Sequence, residues 1–239
     1  MRDSIQIRPA QPGDAEVAAV LLYSAYMHTQ VTSPLREEDE SGLIERLEHF
    51  FHQDGNRFSS QNIQVADQSS EVVGLVLSFG GREEARLNAA VGSWLEQEAQ
   101  DDEWYIDALA VFSNWGRKGI GACLLQTAER QARQHHYPKI ALHVAQGNTQ
   151  ALDLYTHLHY VVTQQTFLYQ RPYVRMVKTL ENWEQGNDAT QSTWSIPLFR
   201  ADFLCFILKV VEHSRYLSTE PLHEGNRSRC AIHVNRHWC

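Results

Sequence analysis

The sequence predicts an α/β (α+β) protein built on a mixed, mostly antiparallel central sheet flanked by helices, followed by an irregular C-terminal extension. Three observations carry this expectation. Short apolar or alternating runs recur between segments of helical period, in the order β-α-α-β-β-(α)-β-α-β-α-β-β. An apolar run, a glycine-rich turn and a long helix-period segment stand in direct succession from Ile106 onward. From about Gly186 both periods fade, which divides the chain into a body, residues 1–185, and an extension, residues 186–239.

Ile5-Gln6-Ile7-Arg8 alternates like a strand, and Pro9 to Gly13 is punctuation, with Asp14 placed to cap a helix. Val17, Val20/Leu21 and Ser24/Ala25 give that helix its period. Val31 to Pro34 breaks the chain ahead of the charged run Arg36-Glu37-Glu38-Asp39-Glu40 and a second helix with Leu43, Leu47 and Phe50/Phe51 on one face. The acids read either as a first turn matched to the helix dipole or as an acidic lip facing a substrate. Residues 62–66 and 72–77 form a hairpin across Asp67 to Ser70. Residues 83–100, with Leu87, Ala90/Val91 and Trp94/Leu95, read as an amphipathic helix.

The central strand is expected over 104–112. Ile120, Leu124, Thr127/Ala128 and Gln131/Ala132 then mark a long helix ending near Tyr137-Pro138. Lys139 to Val144 is the next strand, and Asn148 caps a helix carrying Ala151, Leu154/Tyr155 and Leu158. Tyr160 to Thr163 and Arg175 to Leu180 close the sheet. In the extension, Phe203 to Val211 is apolar but holds Lys209 and is too short to cross a bilayer. It reads as an appended helix packed on the body, or as an extension without a role in activity.

Composition narrows the function classes. A formal charge of −8 argues against a nucleic-acid binder and suits a cationic or neutral substrate. The excess lies in the body, because residues from Asn187 onward hold five acids and six bases. No apolar run is long enough for a membrane span, and Met1 to Ile7 lacks the apolar segment of a secretory signal, so a cytoplasmic location is expected. The four cysteines show no CxxC pairing or metal-type spacing, and among the 12 histidines there is no pair at ligand spacing that cysteines or carboxylates complete, so no metal is expected.

The turn Asn114-Trp115-Gly116-Arg117-Lys118-Gly119-Ile120-Gly121-Ala122 is a chemically sensible phosphate seat. It ends in a helix N-terminus with unpaired N–H groups and the positive end of the dipole. Gly119 and Gly121 remove Cβ atoms that would hold a diphosphate off the backbone. The plainer reading is a tight strand-to-helix turn with two solvated cations. Neither the Walker A nor the Rossmann glycine order is present.

Three stretches together resemble the GNAT superfamily of acyl-CoA-dependent N-acetyltransferases, over roughly residues 4–180. Ile7 to Asp14 is similar to its first strand and turn. Ile106 to Val111 followed by Gly116-Arg117-Lys118-Gly119-Ile120-Gly121-Ala122 resembles its CoA-binding motif. Asn148-Thr-Gln-Ala151-Leu-Asp-Leu154-Tyr155-Thr-His-Leu158-His159-Tyr160 resembles its second motif. Two positions depart from the pattern. Gly116 stands where the family has Arg or Gln, with Arg117 next to it, and His159 stands at the family's glycine, a place that asks for φ > 0.

The resemblance implies a GNAT-like fold and acetyl transfer from acetyl-CoA to an amine by direct attack in a ternary complex, with no cysteine nucleophile. It implies a diphosphate on the backbone of Arg117, Lys118, Gly119, Ile120, Gly121 and Ala122. A pantetheine arm would lie along the strand edge Leu109, Ala110 and Val111, where one N–H polarises the thioester carbonyl. Asn148 belongs to the same cofactor set. Tyr155, at the family's tyrosine position, is the expected acid for the leaving thiolate; as a bare residue at helical spacing it reads rather as a core aromatic. His143 takes the place of a base glutamate in the similar ribosomal-protein alanine acetyltransferases, and Asp107 and Glu103 are its rivals. Tyr169 and Tyr173 read as walls of an acceptor pocket or as turn-packing residues. The acceptor itself, a small molecule or a protein N-terminus, is not legible, and a homodimer is compatible with the reading. The rival class is a non-catalytic acyl-CoA sensor or interaction module.

Overall fold

The computed structural model describes residues 5–28, 40–92 and 95–180. The expected extension, its apolar run at 203–211 and most of the acidic run at 36–40 lie outside the described residues. Seven strands form one sheet: β1 (Gln6–Pro9), β2 (Ile63–Gln68), β3 (Glu71–Gly80), β4 (Glu103–Val111), β5 (Lys139–Ala145), β6 (Val161–Leu168) and β7 (Arg171–Thr179). Their spatial order is β1-β2-β3-β4-β5-β7-β6. Every pairing is antiparallel except β4 with β5. That parallel pair needs a crossover, which α4 (Ile120–Gln134) supplies.

Both faces of the sheet are covered, which is why β3 reads as a nearly unbroken apolar run rather than an alternation. On one face Leu75, Leu77, Phe79 and Tyr105 join Ala18, Leu22, Leu43 and Phe51 from α1 (Ala15–His28) and α2 (Glu40–Phe51). On the other, Val76, Ile106, Leu142 and Met176 join Leu124, Leu125 and Ala128 of α4, and Ala151 and Tyr155 of α5 (Thr149–His157). Two-residue turns close the hairpins, with left-handed Ser69 and Ser70 between β2 and β3, and Tyr169 and Gln170 between β6 and β7.

Two irregularities shape the middle of the sheet. Leu77 faces Ala108 while Ser78 faces Ile106, so Asp107 is an extra residue bulged out of β4. Immediately beyond, β4 and β5 part. Their pairing stops at Ile106 and Leu142, although β4 stays on β3 to Val111 and β5 stays on β7 to Ala145. A wedge-shaped gap opens between two halves of one sheet.

The expected helix over 83–100 is much shorter. α3 covers only Glu84–Ala89, and Gly92 turns the chain at φ 130°. The segment after it is held by side chains instead of a helical ladder: the Glu84 carboxylate accepts from the Glu98 and Ala99 amides at 2.9 and 2.8 Å. Asp14 stands directly before α1, but its carboxylate turns back to accept from the Gln11 amide (2.7 Å) and from Arg8. Tyr173 is not in a loop: β7 starts earlier than its periodicity suggested, and Tyr173 pairs there with Ala145 and Thr166.

Gly81 lies so close under the Gln100 carbonyl oxygen that an added Cβ would overlap it. Gly81→Ala is expected to destabilise the fold by about 1–3 kcal/mol through forced backbone displacement. A urea denaturation midpoint equal to that of the unaltered protein would refute this.

Candidate active site

The glycine turn leaves β4 at its C-terminal end. The chain passes Ser113–Trp115 as a single tight turn, goes left-handed at Arg117 (φ 61°) and again at Gly119 (φ 79°), and enters α4 at Ile120. Gly119 therefore answers a conformational demand, and a Cβ there would meet nothing within 4 Å. At Gly121 a Cβ would make only ordinary contacts with Leu154 and Leu109, so packing does not call for glycine. Arg117, Lys118 and Gly119 are exposed, and the amides of Ile120, Gly121 and Ala122 belong to a first turn that has no intrahelical acceptors for them. The Lys118 ammonium rests 4.0 Å from the centre of the Trp115 ring, which holds it beside the turn.

The neighbouring gap has backbone groups to offer. The Phe112 amide donates to the Val73 carbonyl (2.9 Å). Alternation along the antiparallel ladder then directs the groups of Ala110 and Ala108 toward β3, and those of Leu109 and Val111 toward the gap. Of the three residues expected along this edge, Ala110 is thus committed to the sheet and the other two are not.

α5 brings Tyr155 to the α4 face of the gap. Asn148 caps α5 through its side-chain oxygen, which accepts from the Ala151 amide at 3.1 Å. Its carboxamide thus positions the helix that carries Tyr155. Tyr155 is buried, and burial pushes its phenol well above the usual tyrosine range. Its hydroxyl has no hydrogen-bond partner among the described residues, and its ring packs 5.8 Å from that of Tyr160. The turn between them puts His159 at φ 68°, so the histidine occupies the left-handed place the motif assigns to glycine.

His143 lies on the opposite side. It shares a strand face with Ala141, which belongs to the α1–α2 core, whereas Tyr155 belongs to the α4–α5 core. Its Nδ1 is 3.0 Å from the Tyr105 hydroxyl. Burial, with the nearby Arg175 cation, lowers its pKa to about 4, so the ring is neutral at physiological pH.

Tyr105 belongs to a buried polar network that joins three sequence-based candidates, His143, Asp107 and Tyr169, to residues that were not among them. Its hydroxyl donates to Glu98 Oε2 (2.5 Å), while Tyr169 donates to Glu98 Oε1 (2.7 Å). Arg57, fully buried in the connection between α2 and β2, reaches Glu98 at 3.3 Å and Glu84 at 3.4 Å and donates to Asn88 Oδ1 at 3.1 Å. It also grips both oxygens of Asp107, through Nε at 2.8 Å and through a second, shorter bond from Nη2. Tyr26 of α1 adds a bond to Asp107 Oδ2 at 2.5 Å. Burial works against the Arg57 charge, but Asp107 and Glu98 hold its pKa well above normal. Burial raises Glu84 and Glu98 above the ordinary carboxylate range. Glu103, the other rival base, is fully buried and paired with Arg175.

Of the carboxylates considered from the sequence, both are thus held by arginines. Arg57 and Glu98 sit in polar stretches without period, His52 to Gln61 and Glu96 to Asp102, where nothing local separates a buried charge from a solvated one. Among the described residues no cluster could hold a metal ion, and no helix is long and apolar enough to cross a membrane.

Comparison with known proteins agrees with this fold. The model of the acetyltransferase (GNAT) family matches residues 23–160. An N-acetyltransferase from Staphylococcus aureus Mu50 superposes with a TM-score of 0.65 at 25% identity, covering 72% of this chain and 100% of that one. A second solved acetyltransferase has a TM-score of 0.63 at 23% identity, over 74% of this chain and 100% of that one. For yncA from Salmonella typhimurium, solved with its cofactor acetyl-CoA, the TM-score is 0.51 at 16% identity, over 81% and 100% of the two chains. No curated protein sequence matches.

Two expectations follow from the network. Arg57→Gln leaves three carboxylates buried without their cation and should destabilise the fold by about 3–5 kcal/mol at pH 7. The loss should shrink at pH 5, where the remaining acids can take up protons; an equal loss at both pH values, measured by urea unfolding, would contradict this account. His143 has a folded pKa below its unfolded value, so below about pH 6.5 the unfolded chain binds a proton that the folded chain refuses. Its contribution is thus lost as pH falls from about 6.5 toward 4. His143→Gln should flatten that part of the stability curve, by about 1–2 kcal/mol between pH 7 and pH 5.

Proposed function

The chain belongs to the GNAT acetyltransferase family, and from that membership we propose that it moves an acetyl group from acetyl-CoA to a primary amine by direct attack in a ternary complex. One observation carries the reading. The wedge between β4 and β5 has a helix N-terminus at one end, a phenol on one face and a neutral imidazole on the other. The acetyl-CoA bound by the Salmonella typhimurium neighbour supports the choice of donor.

The residues fit such a donor. The first-turn amides at Ile120 to Ala122, with the left-handed cap at Gly119 and the exposed Arg117 and Lys118, suit a diphosphate. Backbone groups of Leu109 and Val111 would pair with the amides of a pantetheine arm, as a neighbouring strand would. Acetyl-CoA supplies an activated thioester carbonyl when bound. A strand N–H directed into the gap would polarise that carbonyl. Tyr155 gives its proton to the sulfur as the C–S bond breaks; burial keeps that proton in place until then and makes a thiolate in the same pocket a stronger base. His143 takes the proton that the acceptor carries as an ammonium, and the proton freed from nitrogen as the C–N bond forms restores the Tyr155 phenol. Asp107 serves differently, since Arg57 and Tyr26 occupy its oxygens and thereby hold the bulge. The acid-rich body suits a cationic acceptor, whether a small molecule or a protein N-terminus.

A thermal-shift screen with acetyl-CoA, CoA and ATP, followed by thiol release against an amine panel, tests the reading. Acetyl-CoA and CoA should stabilise the protein and ATP should not. Tyr155→Phe should lower turnover by roughly 10²-fold or more while leaving CoA binding intact. No shift with acetyl-CoA, or full turnover in Tyr155→Phe, would overturn the assignment, and binding without any turnover would favour a sensor.

A further inference from the structure

His143 poses a problem as a base. Burial and Arg175 oppose a charge on its ring, so an imidazolium is a poor resting place for a proton taken from an ammonium. Counting donors along its hydrogen bonds gives a way round. The Tyr105 hydroxyl has one proton and directs it to Glu98 Oε2 at 2.5 Å. The 3.0 Å contact between that hydroxyl and His143 Nδ1 must then be donated by Nδ1–H. The imidazole is held as the Nδ1–H tautomer, and Nε2 keeps a lone pair with no protein partner among the described residues.

We propose that Glu98 is the final acceptor of a proton relay running from His143 through Tyr105, so that the acceptor amine is deprotonated without a charged imidazole. Nε2 takes a proton from the ammonium. Nδ1 passes its own to the Tyr105 oxygen, and Tyr105 passes its original proton to Glu98 Oε2. The amine emerges neutral with its lone pair free, His143 emerges neutral as the Nε2–H tautomer, and Glu98 becomes a carboxylic acid. Beyond Nε2, each proton moves along a hydrogen bond already present.

The surroundings of Glu98 favour it as the place where the proton stops. Facing the cluster are Arg57 from the connection after α2, Glu84 from α3, Tyr105 and Asp107 from β4, Tyr169 from the β6–β7 turn and, on Asp107, Tyr26 from α1. Among the described residues one cation thus stands among three carboxylates, and neutralising one of them relieves repulsion. The oxygens of Glu84 accept from two backbone amides, and those of Asp107 from Arg57 and Tyr26. Glu98 has its Arg57 contact only at 3.3 Å, and the upward shift of its pKa accords with this role.

The inference rests on the acyl-transfer reading for the identity of the amine, but its main test does not. Histidine ring nitrogens are followed by 15N NMR, with the His143 signals assigned by their loss in His143→Gln. The unaltered protein should show Nδ1–H and a bare Nε2 near pH 8. In Glu98→Gln the amide oxygen faces Arg57, which only donates, so the amide N–H₂ faces Tyr105 and turns its hydroxyl toward Nδ1. His143 should then switch to Nε2–H. Tyr169→Phe, which loosens Glu98 without entering the relay, should leave the tautomer unchanged. An Nε2–H ring in the unaltered protein, or an Nδ1–H ring in Glu98→Gln, would overturn the relay.

In turnover, Glu98→Gln should lower kcat/KM at pH 7 by about 10²-fold, with recovery as pH rises toward the amine's own pKa. If acetyl-CoA binds but the tautomer does not switch, the relay fails and the acyl-transfer reading stands. If the tautomer switches and acetyl-CoA does not bind, the acyl-transfer reading fails instead.

Discussion

The guanidinium of Arg57 is the contact on which the rest of this architecture depends. It has no exposed surface, and burying an unpaired cation at that depth would be prohibitive. The fold answers with Asp107 from β4, Glu84 and Asn88 from the α3 region, and Glu98 from the segment that follows. Four stretches distant in sequence are thereby forced to one point. A buried ion pair is weak evidence for stability as such, because desolvation offsets much of the attraction. What it does here is fix geometry: an alternative packing that leaves any of these charges alone is heavily penalised.

The geometry so fixed is that of β4. Asp107 is the bulged residue, and it is the first residue past the last β4–β5 pair. Holding its carboxylate on two arginine nitrogens and a tyrosine stabilises an irregularity that a plain ladder would tend to remove. Past the bulge, the sheet halves are tied to different partners, β4 to β3 and β5 to β7, so the gap persists without a bond across it. The gap has an α4–α5 side with the Tyr155 phenol and an α1–α2 side with a linked polar network. Under the proposed mechanism that asymmetry lets proton donation and proton removal proceed in one opening without the two groups meeting.

Local signals made much of this legible before folding. The strand–glycine turn–helix succession at 104–134 and the Asn148 cap with Tyr155 seven residues on are written in residues close together in sequence. Their physics is equally local: a left-handed glycine, unpaired first-turn amides and a side-chain oxygen on an amide three residues away. The positive φ at His159 was legible for the same reason. The helix over 83–100 was misread because its apolar spacing was real, but the amides beyond Gly92 find acceptors on Glu84 and Glu103 side chains instead of the preceding turn. The position of Tyr173 was likewise set by pairing on both sides of β7.

The sequence by itself determined the fold class, the order of elements and the glycine turn at the start of α4, since hydrophobic period and turn chemistry act over a few residues. Tertiary structure alone decided which charges are buried together. Whether Arg57 or Glu98 meets water or a partner depends on groups as far as 50 and 71 positions away, and no periodicity records such a pairing. It also decided that His143 and Tyr155 stand on opposite faces of one gap. Strand parity fixes the side of each residue only once the sheet knows which helices cover which face.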